Sequence, residues 1–196
     1  MLLMMLQGLN LQAQVRPDSA YINSYFYEAI GDFNNAIGEL SKLKDNSYQK
    51  NIRKAWLYFS LGDYENAISF YKRSDSLESN SIDAKTGLIN AYYLSQKYKK
   101  CEQICYNLLT IEKTNLTALL TLANCKLINL DYIAATEYLV KALKYYPTNY
   151  SALYNIVFCY KIIGNKEKAW SYATRLMNLY PNDEAVKELC KDLSKE

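Results

Sequence analysis

Small, aromatic and turn-forming residues recur in one register along most of this chain. A small residue returns at Ala36, Ala67, Cys101, Ala135 and Ala169, at intervals of 31, 34, 34 and 34. A second column, Tyr27, Tyr58, Tyr92, Lys126 and Tyr160, keeps the same intervals. Between the two columns lies a turn: Gly31-Asp32-Phe33, Gly62-Asp63-Tyr64, Gln96-Lys97-Tyr98, Leu130-Asp131-Tyr132 and Gly164-Asn165-Lys166. Apolar positions at helical spacing on either side of a turn predict a pair of helices, here repeated end to end. The hairpins fall at about Asp18–Asp45, Tyr48–Leu77, Ile82–Ile111, Leu116–Tyr145 and Tyr150–Leu179. The shortened first interval falls in the Asp45-Asn46-Ser47 turn, where deletions are best tolerated. Pro17 suits the first turn of a helix. Pro147 and Pro181 close the last two hairpins, each followed by polar residues able to cap the next helix, Thr148-Asn149 and Asn182-Asp183. The last segment, Glu184 to Lys195, reads as an amphipathic helix with Val186, Leu189, Cys190 and Leu193 on one face.

A 34-residue period with this residue order resembles the tetratricopeptide repeat (TPR) family. The resemblance implies an all-α fold, a right-handed α-α superhelical solenoid of about five TPR-type helical hairpins. The repeats would span 17–181, near 17–47, 48–81, 82–115, 116–149 and 150–183, and 184–196 would be the C-terminal capping helix that an open-ended array requires. Within a hairpin the two helices would cross where both offer small side chains: Ser24 with Ala36, Ala55 with Ala67, Ala123 with Ala135. Ile89 and Val157 depart from that pattern and predict slightly wider junctions. Lys126, in the tyrosine column, predicts weaker packing in hairpin four.

The resemblance also implies a non-enzymatic scaffold whose first helices line a concave groove for a peptide. Carried onto this chain, that groove is described by triplets at spacing i, i+4, i+7: Tyr21/Tyr25/Glu28, Ile52/Trp56/Phe59, Thr86/Asn90/Tyr93, Leu120/Asn124/Leu127 and Tyr154/Phe158/Lys161. Asn90 and Asn124 share one slot in adjacent repeats and offer a donor and an acceptor to a peptide backbone. The aromatic residues supply contact area at low entropic cost. Packing against the neighbouring hairpin is the competing expectation for Trp56 and Phe59. Chaperone-binding members of the family hold a terminal carboxylate with Lys and Arg. Here Thr86, Asn90, Thr117, Leu120 and Asn124 occupy the corresponding faces, which argues against a carboxylate clamp.

Composition narrows the function further. The 23 basic and 20 acidic residues nearly balance, which argues against a nucleic-acid partner; an RNA-binding helical repeat would need a strongly basic groove. Lys97, Lys99 and Lys100 read as a solvated outer face. The sequence has no histidine, the commonest general base and metal ligand, and carries no phosphate loop, nucleophile elbow or metal triad. No enzyme, cofactor or metal site is therefore expected. Tyrosine, at 20 residues, suits a thin two-layer array in which few positions are fully buried. The five cysteines, Cys101, Cys105, Cys125, Cys159 and Cys190, read as small core residues, with a Cys105–Cys125 bridge the one pairing the spacing would permit in an oxidising compartment.

Met1 to Ala13 is an apolar run of signal-peptide length, too short to span a bilayer, with Ala13-Gln14 as the cleavage point. It predicts an exported protein of the bacterial periplasm or cell envelope without a membrane span of its own. Set against this, no Lys or Arg precedes the run, and the competing expectations are an apolar helix capping the first hairpin and a cytoplasmic protein. The expected partner is a protein or peptide. Self-assembly, through stacking of an uncapped first hairpin on another copy, is the alternative.

Overall fold

The computed structural model describes residues 17–194, with Pro17 and Asp18 described by their backbone alone. The expected signal segment, Met1–Ala13, lies outside the described residues. The described residues form two compact units that divide between Leu77 and Glu78. Among the described residues the structure is α-helix and turn without strand.

The first unit holds two hairpins, α1 (Pro17–Ala29) with α2 (Phe33–Ser41) and α3 (Tyr48–Ser60) with α4 (Tyr64–Leu77). The second holds three: α5 (Ile82–Leu94) with α6 (Tyr98–Ile111), α7 (Leu116–Ile128) with α8 (Tyr132–Tyr145), and α9 (Tyr150–Ile163) with α10 (Lys166–Leu179). A final helix, α11 (Glu184–Ser194), packs on α10 and α9. Among the described residues, no helix is long and apolar enough to cross a membrane.

The register read from the sequence is the register of the core. Ala36, Ala67, Cys101, Ala135 and Ala169 are all fully buried, as are their first-helix counterparts Ser24, Ala55, Ile89, Ala123 and Val157. A small side chain at both positions lets the helices of a hairpin approach closely. In the first unit Ala20, Ala36, Ile37, Leu40 and Leu57 form one cluster edged by Tyr21, Tyr27, Phe33 and Tyr58. In the second a continuous cluster runs from Leu119 through Leu139, Ile156 and Leu176 to Val186, Leu189, Cys190 and Leu193 of α11. The last helix thus covers the apolar side of the final hairpin, while Lys187, Glu188 and Lys191 on its other side face solvent.

Every turn within a hairpin is built alike. The backbone N–H after each tyrosine-column helix turns back to that column's carbonyl: Asp32 to Tyr27, Asp63 to Tyr58, Lys97 to Tyr92, Asp131 to Lys126, Asn165 to Tyr160, at 2.8–2.9 Å. This closure requires a left-handed residue one position earlier. Gly31, Gly62 and Gly164 supply it at φ of 79°, 78° and 80°, whereas Gln96 and Leu130 are forced to φ of 59°. The next residue caps the second helix: the side chains of Asp32, Asp63, Asp131 and Asn165 accept from the N–H three residues on. Lys97 makes no such side-chain cap.

One expectation is changed and one is met. Lys126 does not leave its hairpin short of a contact, because its Nζ pairs with Glu102 Oε1 of α6 at 2.9 Å. The five cysteines are all buried and none is bridged. Cys101 donates to the Ile89 carbonyl at 3.3 Å, and contact with Cys105, together with burial, pushes its thiol up to about 12. Such thiols remain protonated and unreactive.

Candidate functional site

None of the residues that the sequence places on the first-helix strips is buried. Tyr25, Trp56 and Phe158 are exposed, and Tyr21, Ile52, Phe59, Asn90, Tyr93, Leu120, Asn124, Leu127, Tyr154 and Lys161 are half-buried. The strips divide between the two units and differ in chemistry.

In the first unit, Arg53 organises the strip. It is buried among α1 and α3, with Nε donating to Ser24 Oγ at 3.0 Å and Nη2 donating to Glu28 Oε2 at 2.8 Å. Its guanidinium lies 3.4 Å from the Tyr25 ring centroid, a stacked cation–π contact. The second carboxylate oxygen of Glu28 accepts from Trp56 Nε1 at 2.7 Å, and Trp56 stacks on Phe59 with centroids 6.0 Å apart. Burial would raise the Glu28 carboxyl, but hydrogen bonds from Trp56 and Arg53 and the charge of Arg53 hold it below its ordinary value. Two aromatic rings are therefore fixed from beneath yet remain 58% and 47% exposed, Tyr25 and Trp56. A large apolar side chain held open to water in one orientation is a binding platform with little entropy left to lose.

In the second unit the strip is amide-centred. Asn155 Nδ2 donates to Asn124 Oδ1 at 3.3 Å, joining α9 to α7. Tyr93 meets Tyr98 edge-on, Phe158 meets Tyr132 edge-on and Tyr154 stacks on Tyr150. Leu120, Leu127 and Tyr154 pack against the core cluster, so these three serve packing as well as surface. Lys161 reaches Asp192 of α11 at 3.7 Å. Among the described residues, no group of three or more His, Cys, Asp or Glu is arranged to hold a metal ion.

Two residues that organise the strips escaped the triplets: Arg53 and Asn155. Both stand five residues before the tyrosine column, in a column that otherwise reads Ile22, Gly87 and Thr121. A charged residue in an uncharged column, one repeat after Glu28, is the signal that would have found Arg53.

Residues 51–81 match the tetratricopeptide repeat family model. The chain folds as a tetratricopeptide repeat array. No curated protein sequence matches it. Among solved structures, a TPR protein from Parabacteroides merdae is similar over 90% of this chain and 71% of its own, at 18% identity and a TM-score of 0.78. MamA is similar at 17% identity and a TM-score of 0.75, over 84% of this chain and 91% of its own. YrrB, a TPR protein with an unusual peptide-binding site, is similar at 15% identity and a TM-score of 0.71, over 87% and 90%. At these identities the likeness is one of fold.

Proposed function

We propose that this chain is a non-enzymatic interaction scaffold that binds extended polypeptide segments along the faces of its first helices. The observation that carries this reading is the first-unit platform, in which the Glu28–Arg53 pair holds Tyr25 and Trp56 outward. A residue needed only for packing would turn its ring into the core; these rings are anchored by polar contacts and leave their faces to solvent. The peptide-binding site of YrrB, on the same fold, supports the reading. In the second unit Asn90 and Asn124 would address main-chain amides.

The test uses peptides selected from a phage-displayed library against the full chain, with affinities measured by fluorescence anisotropy. Trp56→Ala weakens such peptides by at least about tenfold, the effect of removing one central aromatic anchor, while Lys141→Asp on α8 leaves them unchanged. Peptides indifferent to both Trp56→Ala and Asn124→Ala would overturn the assignment.

A further inference from the structure

The second hairpin breaks the core pattern at two positions that the peptide platform does not use. One column reads Ala84, Ala118 and Ala152 in the last three hairpins and carries Lys50 here. Another reads Leu88, Leu122 and Ile156 and carries Lys54. All six apolar residues are at most 1% exposed, whereas both lysines are half-buried. Charge in a slot that elsewhere builds the core is costly unless its surroundings answer it.

The surroundings answer Lys50 but not Lys54. The second helix before them, α2, has 9 residues, where α4, α6, α8 and α10 each have 14. Lys50 Nζ donates to the carbonyls of Leu43 and Asp45 in the stretch that follows this short helix. Lys54 Nζ donates to Ser41 Oγ at the end of α2, at 3.0 Å, and lies 4.7 Å from the Phe70 ring centroid. The Arg73 guanidinium lies 4.9 Å from the same centroid. Among the described residues neither Lys54 nor Arg73 forms an ion pair. The acid beside Lys50, Asp45, turns its carboxylate to the Ser47 N–H at 3.2 Å. Burial, and then repulsion from Lys50 and Arg73, holds the Lys54 ammonium below its ordinary value.

Two unpaired cations on one aromatic ring, with a third behind them, keep N–H donors for an anion that the chain does not supply. An ammonium beside a planar guanidinium fork suits a compact oxyanion with several acceptor oxygens. Three positive charges also match a phosphate, at nearly two negative charges, better than a singly charged carboxylate. We propose that Lys54 and Arg73, backed by the charge of Lys50, bind an oxyanion of the phosphate class where α2, α3 and α4 meet. The ligand is inorganic phosphate or a phosphomonoester. This site is independent of the peptide platform.

The experiment follows the thermal midpoint of the full chain as sodium phosphate replaces sodium chloride at constant ionic strength. The wild-type midpoint rises with phosphate along a binding curve. Lys54→Leu, the side chain of the equivalent slots, melts higher than wild type in chloride, because it removes a repelled cation from a core position. It needs at least about tenfold more phosphate for the same rise, the loss of one charge-assisted hydrogen bond. Arg73→Gln, at an exposed position, keeps the wild-type helical spectrum and weakens the response to the same degree. Phosphate also strengthens burial in general by exclusion from protein surfaces, but that effect moves all three chains alike. Parallel rises in all three therefore overturn the proposal. So does an equal response to acetate, which would assign the cluster to carboxylates. A Lys54→Leu chain that melts below wild type in chloride overturns it as well, because Lys54 would then serve packing. O-phosphoserine in place of phosphate separates the two sources: a larger rise assigns the site to a phosphorylated side chain, a smaller one to the free ion. Trp56→Ala keeps the full phosphate response, so failure of the peptide reading and failure of this one are told apart.

Discussion

The hairpin turns allow a prediction in which two substitutions of opposite chemistry have opposite signs. Gln96 holds a left-handed backbone at φ 59°, and Gly164 fills the equivalent position at φ 80°. A non-glycine residue in that region costs roughly 1–2 kcal/mol from the clash of its Cβ with the following carbonyl. Glycine avoids the clash but loses roughly 0.5–1 kcal/mol more backbone freedom on folding. Gln96 is exposed, so its replacement removes little buried surface. The difference predicts that Gln96→Gly stabilises the second unit by about 0.5–1 kcal/mol. A Cβ built at Gly164 meets nothing within 4 Å, so Gly164→Ala carries the conformational cost alone and destabilises by about the same amount. Leu130, also at φ 59° and 69% exposed, is the internal control: like Gln96 it surrenders little buried surface, so Leu130→Gly also stabilises by about 0.5–1 kcal/mol.

The assay is urea unfolding followed by circular dichroism at the helical band. With a urea slope of about 1–3 kcal/mol/M, these changes move the midpoint by about 0.2–1 M, upward for Gln96→Gly and downward for Gly164→Ala. A fall in midpoint on Gln96→Gly would mean that the glutamine side chain contributes more than the backbone strain removes, and would refute the reasoning. A fall in midpoint on Leu130→Gly would refute it independently.

Two further predictions rest on buried groups. Ala135→Asp places an unpaired charge at a fully buried slot and destabilises by several kcal/mol, about 3–5, while Lys141→Asp on the exposed side of the same helix changes the thermal midpoint little. Equal melting temperatures for the pair would refute the register. Glu28, held below its ordinary carboxylate value, adds stability that is present above the unfolded value near 4.5 and lost as the pH falls through the folded value. Glu28→Gln is therefore less stable than wild type at neutral pH, and the gap closes as the pH falls through the lowered folded-state value of Glu28; a gap that widens on acidification refutes the assignment.

Much of this fold was legible because a repeat states each structural requirement several times. The column of Ala36 to Ala169 marked the core, and the Gly-Asp pairs marked both the left-handed turn and the cap that follows it. One slot seen alone would have misled. Gln96 and Leu130 do not look like residues of a left-handed turn, and only their place in the column assigns them there. The role of Lys126 was not legible, because its partner Glu102 comes from the helix before it, and a periodic pattern records faces rather than pairings. Arg53 was missed for the same reason. Its burial depends on Ser24, Glu28 and Tyr25 converging from α1, which no property of α3 alone reveals.

The column of Ile22, Arg53, Gly87, Thr121 and Asn155 explains why the strips differ between the units. The tyrosine and alanine columns are fixed by close packing, so each hairpin must answer them with nearly the same residue. The column five residues before the tyrosines is less constrained, and its occupants range from buried to exposed. In the first unit an arginine there draws Glu28, Tyr25 and Trp56 into one charged and aromatic cluster. In the second an asparagine there joins Asn124 and leaves a neutral amide face. A peptide meeting the first strip would be held by side-chain stacking, and one meeting the second by hydrogen bonds to its backbone. Exchanging the chemistry at that column, with Arg53→Asn as the first case, should therefore change which peptides bind without disturbing the hairpins. The substitution removes the guanidinium that stacks on Tyr25 and leaves Glu28 to hold Trp56 without its ion pair, so aromatic selectivity falls first.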